Sequence, residues 1–143
     1  MSRHGYSDGW DGDWWPTIMW NGRVASAIRG KRGQVMLREL RDALDAMESK
    51  ELIRGSIVAS NGCCCAIGAL LKEREVPYLD RLIKAEDDQY ILEDWNDDIA
   101  EDLDVATPLI QEIAYMNDEG GFHETPAGRW RRMRDWVDKK ITD

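Results

Sequence analysis

The sequence predicts a mainly α fold: a compact bundle of about five to six helices carrying one small β-hairpin. Three observations lead there. Apolar residues recur at spacings of three and four over several long segments. Two Thr-Pro pairs mark helix starts, because the threonine can cap the first turn and proline suits the first helical position. Only one stretch carries a hairpin signal, an Asn-Gly pair between two apolar arms. At 143 residues with 43% hydrophobic side chains, the chain fits one domain with a core of its own.

The elements follow in order. Residues 1–19 are rich in glycine and acid yet hold Trp10, Trp14 and Trp15, so a partly ordered segment is expected there, its rings packed on the domain or on a partner. The single helical domain is expected to span residues 20–143. A first helix starts at Trp20, with Val24, Ala27 and Ile28 on one face, and breaks at Gly30. After Gly33 a second buries Met36, Leu37, Leu40, Ala43, Leu44 and Met47, and ends at residues 48–50. Then LIRGSIVAS, Asn61-Gly62 and CCCAIG read as a hairpin closed by a type I′ turn, whose second arm runs into a helix from Ala66 to about Arg74. Ile91, Trp95, Ile99 and Leu103 form the next stripe. Thr107-Pro108 opens a helix through Met116. Thr125-Pro126 opens the last one, which buries Trp130, Met133 and Val137 and turns Arg129, Arg131, Arg132 and Arg134 outward.

No apolar run approaches the roughly 20 residues of a membrane span, and no apolar stretch follows basic residues at the N-terminus, so neither membrane nor secretion is expected. The expected compartment is the cytoplasm. The cysteines, Cys63, Cys64 and Cys65, are consecutive and would be reduced there, packed as small hydrophobes. A zinc site is not expected, because zinc takes ligands from two separated pairs and the only histidines are His4 and His123. No cofactor motif is present.

The net charge of −9 is unevenly spread. Residues 85–128 hold fourteen Asp or Glu and no Lys or Arg, whereas residues 20–84 and 129–143 are each modestly basic. Three candidate sites follow. The acidic helix presents Asp94, Asp97, Asp98, Glu101 and Asp102, which form either a solvated face or a docking surface for a basic partner. Direct nucleic-acid binding by that face is excluded by sign. Arg29, Lys31, Arg32 and Gln34 surround two glycines and could hold a small anion or nucleotide, or simply connect two helices and pair with the acidic one. Asp118, Glu119 and His123 share a glycine loop in which an acid/base pair could sit, though such residues mostly serve turns and caps. No nucleophile accompanies them, so no catalytic residue is assigned.

The segments NGRVASAIRGKRGQVMLRELRDALDAM, CCCAIGAL, EIAYMNDEGG and ETPAGRWRRMRDWV, in that order, resemble a family of small uncharacterised proteins encoded by tailed bacteriophages and prophages. The likeness spans most of the chain from Trp20 onward and is weakest around Ile91 to Asp104 and in the tryptophan-rich start. It implies a viral accessory protein in the bacterial cytoplasm and carries over no catalytic residues. The expected mode is non-enzymatic binding to a host protein with a basic surface, a defence system being the candidate. Opposite charge on one chain also allows a homodimer.

Overall fold

The first two helices are separated by one residue. The computed structural model describes residues 14–84, 89–120 and 123–142, with side chains for 18–83, 95–120 and 123–142. Within these it holds seven helices: α1 Trp14–Arg29, α2 Lys31–Ala46, α3 Ala66–Glu73, α4 Leu79–Lys84, α5 Gln89–Leu103, α6 Thr107–Asp118 and α7 Pro126–Lys140. The mainly helical expectation holds, and α4 is the helix the sequence pattern did not announce.

Helix α1 begins at Trp14 rather than Trp20, so it takes in the end of the segment set apart as 1–19. Trp10 and the side chains of Trp14 and Trp15 lie outside the described residues. Trp20 and Val24, one turn apart, are buried. Gly30, in extended backbone, makes the corner to α2. Gly33 then lies inside α2's first turn, against α1, where a Cβ would stand 1.8 Å from the Ala27 carbonyl oxygen. The two backbones meet there because glycine leaves room. Met36, Leu37, Leu40, Ala43 and Leu44 are buried as their spacing requires. Lys50 Nζ donates to the Asp45 and Met47 carbonyls and so satisfies the end of α2.

The hairpin does not form. Among the described residues the sheet content is one isolated antiparallel bridge, Val58 to Cys64. A type I′ turn needs positive φ at both central residues, and here only Gly62 takes it (φ 89°), while the Asn61 side chain accepts from Cys63 N at 3.0 Å. The first arm is drawn elsewhere. Leu52 N donates to the Pro126 carbonyl at 3.0 Å, and Gly55, at φ 84°, donates to Asp118 Oδ1 at 3.3 Å. Ile53 N donates to Cys64 O while Ile57 O accepts from Cys65 N, so residues 54–56 are looped out of any ladder.

That loop seats α3, which is buried from Ala66 to Leu71. Cys65 caps it, its Sγ accepting from Gly68 N at 3.5 Å. Gly68 lies against the loop, where a Cβ would stand 2.0 Å from Ile57 O. Cys64 and Cys65 are core residues, but Cys63 is exposed, against the expectation for all three. Burial pushes the Cys65 thiol up to about 12 and raises Cys64 as well, so both stay protonated near neutrality.

Two helices act as hubs. Helix α2 packs against α1, α3 and α7, and α6 packs against α1, α3, α5 and α7. In α5, Ile99 and Leu103 are buried, and Trp95 stacks on Tyr78 with ring centroids 5.2 Å apart. The α6 cap differs from expectation: Ala106 is the N-cap, and the Thr107 hydroxyl donates instead to Asp97 Oδ1 at 2.7 Å. At α7 Thr125 does cap, Oγ1 accepting from Gly128 N at 3.0 Å. A seam of polar contacts closes α2 on α7 and the residues after it. Gln34 Nε2 donates to Lys140 O, Arg38 to Thr142 O, Trp130 Nε1 to Leu44 O, and Arg134 clasps Asp45 through two bonds. Arg129 is 4% exposed, so it does not face outward as expected; its Nη1 donates to Leu52 O.

Asn117 ties these parts together. Fully buried, it accepts from Ala66 N and donates to Ile53 O and Asp118 Oδ1. Asn117→Ala strands a helix-terminal N–H and a loop carbonyl, and a loss of about 2 kcal/mol is expected in urea unfolding. An unchanged midpoint would mean that water replaces the amide.

Candidate functional site: the outer face of α5

A helix that packs chiefly on one neighbour leaves most of its circumference in solvent, and α5 packs chiefly on α6. Its inner side carries Asn96, Ile99, Ala100 and Leu103, all buried. Asp97, Asp98, Glu101 and Asp102 fall on the other side and are all exposed. The side chain of Asp94 lies outside the described residues. Asp97 and Glu101, like Asp98 and Asp102, are four apart, and like charges at that spacing each cost about 0.2–0.5 kcal/mol. Among the described residues, none of the four carboxylates takes part in an ion pair. The field is felt nearby: burial pushes the Tyr78 phenol well above its ordinary value, and Asp102 and Asp98 push it further.

The cations are spent elsewhere. Arg74 clasps Glu39 at 2.7 Å, and toward α5 it reaches only the Asp102 carbonyl, not its carboxylate. Arg134 holds Asp45, Lys139 holds Asp135, and Arg129 and Arg132 share Glu124. Arg32 reaches Asp104 at 3.1 Å, just past the end of α5, with both side chains largely in water. That pair contributes little.

The candidate anion site keeps part of its set: Gly30, Lys31, Arg32 and Gly33 line one surface cavity together with Arg23 and Ser26, whereas Gln34 is drawn inward. Its loop is a one-residue corner, with Gly33 committed to the contact with α1. Gln34 is 6% exposed and fully engaged, donating to Ile28 O at 2.6 Å and Lys140 O at 3.0 Å and accepting from Thr142 N at 2.8 Å. Arg29 and Lys31 remain exposed at the corner without it.

Nor are the loop residues brought together. Asp118 turns inward to Gly55 and Asn117, while Glu119 closes α6 and His123 is exposed. Among the described residues no hydrogen bond joins any two of Asp118, Glu119 and His123.

No family model, curated protein or solved structure matches the chain. Its sites therefore stand on their own chemistry. Among the described residues no three His, Cys, Asp or Glu side chains are placed to hold a metal ion, and no helix is long and apolar enough to cross a membrane.

The loop carboxylate that matters was missed. Glu124 takes Arg132 through two bonds, at 2.6 and 2.9 Å, and Arg129 at 3.2 Å. Arg132 goes on to the Met116 and Asn117 carbonyls at the end of α6. The hydrogen bond from Arg132 holds the Glu124 carboxyl below its ordinary value. Its one sequence signal was position, immediately before the α7 cap and within two helical turns of both arginines.

Proposed function

We propose that this chain is a phage-encoded accessory protein that acts by binding, without catalysis, to a host protein with a basic surface, and that the outer face of α5 is the contact. The reading rests on one observation. Among the described residues most arginines are matched to an internal carboxylate or carbonyl, whereas Asp97, Asp98, Glu101 and Asp102 have no counter-ion on an exposed helix face. An arrangement that costs repulsion in the free protein gains when a cationic partner supplies the missing charge. The helix is anchored by Ile99 and Leu103, so the face is presented with its geometry already set. The resemblance to phage proteins makes a component of a bacterial defence system the candidate partner.

The test is capture from a bacterial host lysate by tagged protein, beside a variant carrying Asp97→Lys, Asp98→Lys, Glu101→Lys and Asp102→Lys. The wild type should retain a protein with a basic surface in a salt-sensitive manner, and the variant should bind it at least ~100-fold more weakly, since like charges brought face to face cost several kcal/mol. Retention of the same protein by the reversed variant would sink the proposal.

A further inference from the structure

The side of α5 turned away from solvent carries a feature that the binding reading does not use. Asn96 sits among Ile99, Ala100 and Leu103 on the buried side of the helix, where an apolar residue would ordinarily stand, and it is 8% exposed. Among the described residues its amide has no hydrogen-bond partner. Its donor and acceptor are not sealed off by the packing, so they stay open to whatever occupies the space beside them.

What Asn96 faces is a cavity. It lies between the 55–57 loop, the start of α3, α5 and α6; Ile57, Ile67, Ile99, Ile110 and Ala114 make its apolar wall, with Ser56 and Cys65 beside them. At one end stands Asp118, whose Oδ1 is occupied by Gly55 N and Asn117 Nδ2 and whose Oδ2 has no hydrogen-bond partner among the described residues. Arg132, whose charge Asp118 feels, is held by Glu124. Asn117, which lines the cavity too, has both amide atoms committed to the protein.

The cavity has a volume of about 40 Å³. One water needs roughly 10–15 Å³ by the same measure, so about three to four such groups fit. An apolar enclosure with a few convergent polar groups is the usual form of a small-molecule site.

We infer that this cavity binds a small molecule with a short aliphatic body and an N–H-bearing head group, an alkyl amine or primary amide, whose head meets Asn96 and Asp118 while its carbons lie among the isoleucines. A carboxylic acid of the same length is refused, because its charge would face Asp118.

The experiment titrates the ¹⁵N- and ¹³C-methyl-labelled protein with ethylamine, acetamide and acetate, following the Asn96 side-chain amide and the Ile57 and Ile99 methyl groups by NMR. Ethylamine and acetamide should give saturable shifts, and acetate none. In Asn96→Leu the methyl response should weaken at least tenfold while the melting temperature holds or rises, since an amide on an apolar wall is replaced by a hydrocarbon. Asp118→Asn, which keeps an oxygen for Gly55 N, should lose the response to ethylamine and keep that to acetamide. Absence of saturable shifts with both nitrogen probes, an equal response to acetate, or an undiminished methyl response in Asn96→Leu would each overturn the inference.

Discussion

Glu124→Gln lowers the unfolding free energy by about 3 kcal/mol at neutral pH, one of the two largest losses expected in this molecule. The glutamate side chain is 13% exposed and its partners Arg129 and Arg132 are 5% and 30% exposed, so the substitution leaves guanidinium charge in poorly solvated surroundings. Removing one partner of a buried ion pair costs about 3–5 kcal/mol, and the partial exposure of Arg132 places this case at the lower end. The clasp also joins α6 to α7, because Arg132 satisfies the α6 carbonyls only while Glu124 holds it. The pH dependence has a definite sign. A carboxyl whose pKa is depressed by folding contributes stability that is complete above its unfolded value and is lost as pH falls through the folded one. For Glu124 the ordinary value is 4.5 and the folded value lies below it, so the gap between wild type and Glu124→Gln should be full above about pH 5 and close in more acidic solution. Asp45, lowered by Arg134, adds to the acid sensitivity of both proteins alike. Urea unfolding at pH 7 and pH 3 reads both effects, and a gap that does not change with pH would refute the ion-pair account.

Gly33→Ala should cost about 3 kcal/mol, or roughly 10 °C in melting temperature. The added methyl would stand 1.8 Å from the Ala27 carbonyl oxygen and 2.9 Å from its carbon, and a backbone cannot rotate away as a side chain can. The same exchange at Gly22 supplies the control. Gly22 lies in the middle of α1 with nothing within 4 Å of a new Cβ, so Gly22→Ala should stabilise by about 0.5–1 kcal/mol through helix propensity. Opposite signs for one chemical change, measured by thermal unfolding, would establish that the α1–α2 corner is a contact between backbones. A mild effect at Gly33 would mean that the helices can separate there without loss.

The parts of the fold that were legible in the sequence depend on neighbours a few residues away. The stripe of α2, the buried side of α5 and the Thr125 cap of α7 all announce themselves within one or two turns. Helix α4 did not, because six residues carry too little periodicity to read. The hairpin signal misleads because Asn61-Gly62 acts locally, while the donors of Leu52 and Gly55 are claimed by Pro126 and Asp118, more than sixty residues away. The same division holds for the sites. The acidic face was visible because the spacing of Asp97, Asp98, Glu101 and Asp102 sets it on one side of a helix. Of the candidate anion site only Gln34 is taken away, by Lys140 and Thr142, partners that no local pattern could reveal. One amide in an apolar stripe is an ordinary interruption in sequence, so only the cavity beside it sets Asn96 apart.

The seam between α2 and α7 bears on how the chain is assembled during translation. Its contacts join residues 86 to 108 positions apart. At roughly 5–20 residues per second, ribosomes leave several seconds between the emergence of the two helices. During that interval α1 can already turn back on α2, since one glycine joins them, and α3 can follow. The flank of α2 that receives Trp130 and Arg134 stays uncovered until α7 leaves the exit tunnel. The last helix is therefore the latch of the domain, and chaperones or proteases that scan nascent chains have those seconds in which to meet an unfinished core.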